Sequence, residues 1–241
     1  MNKTFLLTLC LFATTVIMAQ KGITPEMLQS FRASYQSTGA NKAIDNAVAA
    51  NDIKVLAVNT ENLSSFDTYF SNKVKSKGIT DQKGSGTCWL HTGLNMLRAK
   101  VIAKYDMPSF ELSKTYCFFF DQLEKSNLFL QSVIDNADKP MQDRLVEWLF
   151  KNPLGDGGQF TGVSDIITKY GVVPESAMHE TFSSSHTNTY AMLMKTKLRE
   201  QGLELRKMVA SGAKAKQLEK KKTEMLGVIY KMIVRCFGTP P

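Results

Sequence analysis

The spacing of apolar positions predicts a chain built mainly of helices. After Cys88 they fall at Leu90, Leu94, Leu97 and Val101, the i, i+4, i+7, i+11 pattern of a buried helix face. "YDMP" ends that helix near Pro108, and Ser113 offers a cap for the next, which runs through the aromatic cluster "TYCFFFDQL". "MQDRLVEWLFKN" predicts another helix, stopped by Pro153, and "GDGGQF" a turn. "TGVSDIITKYG" predicts a short helix closed by Gly171 at its C′ position. The segment from Thr187 to Val209 is long and amphipathic, Gly212 breaks it, and Lys214 to Phe237 supplies a partner, so the two predict a helical hairpin. Upstream, "TPEMLQSFRASYQS" opens on Thr24, Pro25 and Glu26, a cap and first turn, with Met27, Phe31 and Tyr35 at four-residue spacing. Asn41 to Ala50 predicts a second short helix, "DIKVLAVN" a brief strand or extended arm, and Thr60 to Gly86 a loop. No internal repeat is visible.

The first twenty residues follow a different rule. "MNKTFLLTLCLFATTVIMAQ" has a lysine at position 3, an apolar run from Phe5 to Met18 and then the small Ala19. That is the layout of a secretory signal, with cleavage expected after Ala19. The run is shorter than the roughly 20 apolar residues that span a bilayer. No later stretch is a membrane candidate, and the expected location is secreted or periplasmic.

Composition adds modest bounds. An apolar content of 43% over 241 residues is enough for a sizeable core. The formal charge is +8, with the lysines spread out except in "KAKQLEKKK", Lys214 to Lys222. That run reads as a solvated helix face; a nucleic-acid or anionic-surface role is the weaker alternative. With Cys10 in the signal segment, Cys88, Cys117 and Cys236 remain, an odd number that leaves at least one thiol unpaired within the chain. They form no C-x-x-C pair, so neither a metal site nor a thioredoxin-like motif is expected, and no cofactor. Cys117 and Cys236 have apolar neighbours and read as packing residues.

Cys88 differs, because "DQKGSGTCWL" surrounds it with polar residues and glycines. With Ser85 or Thr87 as a cap, Cys88 lies in the first turn of its helix. There unpaired N–H groups and the helix macrodipole favour a negative charge, and a thiolate is the nucleophilic form of cysteine. Gly84 and Gly86 allow a tight turn. Gln82 can aim its amide at the same space, making with the Cys88 N–H two donors for a developing oxyanion. The same stretch also reads as a helix-capping loop with an incidental cysteine.

The pattern Q-x-x-x-x-x-C-W on a Gly/Ser-rich loop resembles the papain-like cysteine peptidases, and the rest resembles their bleomycin hydrolase and aminopeptidase C branch. "ITDQKGSGTCWLHTGLNMLR", "FELSKTYCFFFDQLEKSNLFL", "NPLGDGGQF" followed by "KYGVVPES", "KLREQGLELRKMVASGA" and the closing "CFGTPP" occur in that family's order. The resemblance implies an α+β fold for the family, of which this portion is predominantly helical. It implies Cys88 as nucleophile, Gln82 at the oxyanion hole, and Gly157 and Gly158 as the paired glycines that bind substrate. It implies hydrolysis of peptide substrates through a thioester, trimmed to aminopeptidase action by a C-terminal arm, and a homo-oligomer when intact. The domains expected are a signal peptide (1–19), an N-terminal arm with short helices (20–79), a helical lobe carrying the nucleophile (80–180) and a helical insertion (181–241).

Departures from the pattern matter too. Thr87 stands where Arg or Ser is common, and His91 where an aromatic residue is usual. His91 is one helical turn inward and is expected to be packed or partly exposed rather than to act as base. His179 and His186 read as surface or capping residues. The papain pattern places its His and Asn about 130–150 residues after the cysteine; that window here, Leu218 to Gly238, contains neither. The chain is therefore expected to be a truncated or partial peptidase, inactive alone. A natural half-protein that binds partners, or a helical adaptor using the hairpin, is the alternative.

Overall fold

The computed structural model describes residues 22–241 apart from Ser37, Ser64 and Lys77. The expected signal segment and Cys10 lie outside the described residues. The described chain divides after Phe70 into two compact units.

Among its described residues the first unit holds four helices: α1 (Pro25–Ser34), α2 (Gly39–Ala50), α3 (Ile53–Leu56) and α4 (Thr60–Leu63). Thr24 caps α1 as expected, accepting the Met27 N–H at 3.3 Å. α2 starts two residues earlier than its apolar pattern suggests, because the Thr38 hydroxyl accepts the Asn41 N–H at 3.2 Å. The expected strand or arm at "DIKVLAVN" is instead the single helical turn α3. The Asp52 carboxylate accepts the Lys54 N–H at 2.9 Å, a local cap that competes with extended backbone. α4 likewise replaces the start of the expected loop, with Asn59 accepting the Glu61 N–H at 3.0 Å. None of these four helices contains a buried residue.

The second unit contains α5 (Cys88–Tyr105), α6 (Lys114–Asp135), α7 (Arg144–Lys151), α8 (Phe160–Tyr170), the one-turn α9 (Phe182–Ser185), α10 (Thr187–Ala210) and α11 (Ala215–Phe237). α6 runs through the middle, packed on α5, α7, α8 and both arms of the α10–α11 hairpin. Its start is set by Ser113, whose hydroxyl accepts the Tyr116 N–H at 3.1 Å. Phe118, Phe119, Leu130, Met194, Leu198, Leu205, Ile229, Ile233 and Phe237 form a continuous core. Gly171 (φ 77°) and Gly212 (φ 79°) end α8 and turn the hairpin in backbone conformations that favour glycine. No strand occurs among the described residues, only two isolated bridges, Gly84 with His186 and Leu112 with Pro174.

Two expectations change. The buried stripe of α5 continues from Leu90 and Leu94 to Arg98 and Ile102, while Leu97 and Val101 are only partly covered. A charged residue sits on the inner face because its guanidinium donates to Gly78 O at 2.6 Å and lies 3.6 Å from Glu111. The lysine run is also not wholly solvated. Lys222 is buried against Gln131 (2.7 Å) and Glu219 (3.0 Å), whereas Lys214, Lys216 and Lys220 are exposed. No helix among the described residues is long and apolar enough to cross a membrane.

Candidate active site

Cys88 is the first residue of α5 and its thiol is exposed. The preceding loop closes on itself. The N–H and hydroxyl of Ser85 donate to Gln82 O (3.3 and 2.7 Å), and the Gln82 amide donates back to Ser85 O at 2.8 Å. Lys83, between them, has φ 53°. The expected side-chain cap is absent: Thr87 makes none, and its hydroxyl is 2.6 Å from that of Ser85. Since Ser85 already donates to Gln82 O, Thr87 is the donor in that pair. The consequence is chemical. No described group takes the Cys88 N–H, which stays open at a helix N-terminus. Gln82 uses one amide N–H on Ser85 and keeps a second.

The structure also brings the glycine turn to this loop. Trp89 is buried and its indole N–H donates to Asp156 O at 2.9 Å. A Cβ on Gly158 would lie 2.7 Å from two carbons of that indole; one on Gly157 would meet nothing within 4 Å. α6 holds the same turn through Gln122, which donates to Gly155 O at 3.0 Å, and Lys125, which donates to Gly157 O at 2.7 Å. The carbonyls of Gly155, Asp156 and Gly157 are thus taken by side chains of α5 and α6, while the backbone groups of exposed Gly158 make no hydrogen bond among the described residues.

Asp156 is the residue that the sequence reading missed. One of its carboxylate oxygens accepts the Gly86 N–H at 2.8 Å and the Thr187 hydroxyl at 2.6 Å. Burial pushes this carboxyl up, but the Thr187 and Gly86 hydrogen bonds and the Lys125 charge outweigh it and hold it below the usual range. Its place inside "GDGGQF" was the available signal.

None of the three histidines hydrogen-bonds to Cys88. His91 is half-buried, with Nδ1 3.0 Å from Thr80 Oγ1. Burial, then the Lys114 charge, lowers its pKa. His179 is exposed, 4.0 Å from Glu175. His186 is exposed and stands at the cap position of α10, as a surface or capping residue should; it stacks on Phe182 at 4.4 Å and lies beside Gly84. The other thiols are unlike Cys88. Burial drives Cys117 up to about 12 and raises Cys236 as well.

The profile of the Peptidase C1-like family matches residues 22–241. The chain belongs to that family. It is 36% identical to aminopeptidase C of Lactobacillus delbrueckii subsp. lactis over 92% of its own length and 49% of the relative's. Aminopeptidase C of Listeria monocytogenes is also 36% identical, over 92% of this chain and 50% of that protein. The crystal structure of PepW from Lactobacillus rhamnosis superposes with a TM-score of 0.86 and 38% identity, over 92% of this chain and 50% of that one. The chain therefore spans about half the length of these relatives. The match fits the helical architecture described above, as the helical part of a papain-like peptidase fold.

Proposed function

We propose that this chain carries the nucleophile-bearing part of a cysteine-type aminopeptidase, of the bleomycin hydrolase type, that acts on peptides. The observation that carries this reading is the exposed Cys88 thiol beside an unengaged N–H. Through Trp89 and Asp156 the same element is tied to an exposed glycine turn. In the reaction the Cys88 thiolate adds to the carbonyl carbon of a peptide bond. Negative charge moves to the oxygen, for which the Cys88 N–H and the second Gln82 amide N–H are the available donors. Collapse breaks the C–N bond, the amine leaves with a proton, and the acyl group stays on sulfur as a thioester until water releases it. Gly157 and Gly158 present backbone on which an extended substrate can lie.

The proton transfers need a base, and none of His91, His179 or His186 engages the thiol. We therefore propose that the chain alone does not turn over. Secretion or a periplasmic location, resting on the N-terminal segment, and homo-oligomerisation of the intact protein belong to the same proposal. The alternative of a free partner-binding hairpin has less support, because Met194, Leu198, Leu205, Ile229 and Ile233 commit the hairpin's inner face to the core and leave only Met192, Leu193, Leu203, Val228 and Tyr230 exposed among its large apolar residues. The test is a fluorogenic aminoacyl substrate offered to the purified chain. No cleavage is expected; thiol-dependent cleavage abolished by Cys88→Ala would overturn the inactivity.

A further inference from the structure

We infer that Asp156 is a positioning residue for Cys88, a clamp that fixes the backbone leading into the nucleophile; this rests on the reading of Cys88 as nucleophile. The geometry converges on one carboxylate oxygen. It accepts the Gly86 N–H, two residues before Cys88, at 2.8 Å, and the Thr187 hydroxyl at the start of α10 at 2.6 Å. The carbonyl of the same residue accepts the indole N–H of Trp89, one residue after Cys88, at 2.9 Å. Cys88 is thus bracketed on both sides by bonds to a single residue some 70 positions away in sequence.

The fit around the carboxylate is tight. A Cβ on Gly86 would lie 2.4 Å from Asp156 Oδ1 and 2.5 Å from Cγ, so only glycine lets the carboxylate reach that N–H. The helix start has no side-chain cap of its own. With no hydroxyl holding the first turn, the direction of the Cys88 N–H depends on the peptide planes that precede it. Asp156 fixes the Gly86 plane, and Thr187 fixes Asp156. The bond from the Thr187 N–H to Gly84 O (3.3 Å) steadies the same loop from its other end. A hydrogen bond to an ionised acceptor is about twice as strong as one between neutral groups, which suits a contact that must hold an exposed loop in one geometry.

Asparagine and alanine separate the clamp from the charge. Asp156→Asn removes the charge but keeps an oxygen able to accept both donors; Asp156→Ala removes charge and acceptor together. The readout is the second-order rate of Cys88 alkylation by iodoacetamide from pH 6 to 9 in the full chain, located by peptide mapping, with Cys117 and Cys236 followed in the same sample. Cys88 in the Asn variant is expected to react within threefold of the wild type. In the Ala variant it is expected to react at least fivefold more slowly than in the Asn variant at pH 7, with its pH midpoint raised and Cys117 still protected. Equal Cys88 rates and midpoints in the two variants would overturn the inference. A change at Cys88 seen only together with labelling of Cys117 would overturn it too, since that marks global opening. The nucleophile reading fails separately, if wild-type Cys88 reacts no faster than Cys236.

Discussion

The adjacent glycines of the turn make opposite predictions. In Gly158→Ala the new methyl carbon would sit 2.7 Å from Cδ2 and Cε2 of Trp89 and 3.0 Å from Cε3. The ring cannot easily retreat, because it is buried and its N–H is bonded to Asp156 O. Overpacking of this kind costs about 1–3 kcal/mol, and loss of the indole hydrogen bond about 0.5–1.5 kcal/mol more. The expected destabilisation is about 2–4 kcal/mol, which at roughly 2–4 °C per kcal/mol for a chain of this size lowers Tm by roughly 4–16 °C. Gly157→Ala meets nothing within 4 Å and requires no left-handed backbone, so it should be neutral or stabilising by about 0.4–1 kcal/mol. Thermal unfolding of the two variants, followed by circular dichroism and checked by urea titration, decides the matter. If Gly158→Ala melts with the wild type, or Gly157→Ala falls as far as its neighbour, the Trp89 contact is not what demands glycine at position 158.

Two further outcomes follow from the ionisable groups. A thiol with its pKa near 12, as at Cys117, is ionised at only about one part in ten thousand at pH 8. Iodoacetamide should therefore leave Cys117 unmodified in the folded chain long after Cys88 is consumed, and comparable labelling rates without denaturant would contradict the buried assignment. Asp156 has a depressed folded pKa, so its contribution is present above the unfolded value, about 3.9, and is lost as pH falls through the folded value. The difference in Tm between wild type and Asp156→Asn should be steady down to about pH 5 and shrink as pH falls below about 4; a pH-independent difference would refute this. Neighbouring Asp121 is raised by burial and, to a smaller degree, by the Asp156 charge, so Asp156→Asn also lowers Asp121 and that coupled change is part of the measured difference.

Much of the helical part was legible because its signals are local. Ser113 caps α6 through a hydroxyl three residues from its partner, and Gly171 closes α8 through a backbone conformation that side chains disfavour. The Cys88 loop was legible as a tight turn opening a helix for a similar reason: its glutamine, glycines and Cys-Trp pair lie within eight residues. What escaped was decided at long range or by competition between neighbours. The clamp on Gly86 comes from a residue 70 positions away. Ser85 and Thr87 were credible caps, yet the Thr87 hydroxyl donates to Ser85 and the Ser85 hydroxyl to Gln82 O, a preference that depends on how the loop folds back to Gln82. Arg98 could not be placed inside from its chemistry alone, since a buried guanidinium needs the Gly78 carbonyl that a distant bend supplies. "DIKVLAVN" has the β-branched content of a strand, but its Asp52 supplies an acceptor for a helical turn.

The first residue of α10 is bonded twice to the region around the thiol, through its N–H to Gly84 and through its hydroxyl to Asp156. From that anchorage the helix runs on for 24 residues, a rod of about 36 Å. Whatever grips its far tip would be pulling on a lever whose pivot is the loop that leads into Cys88.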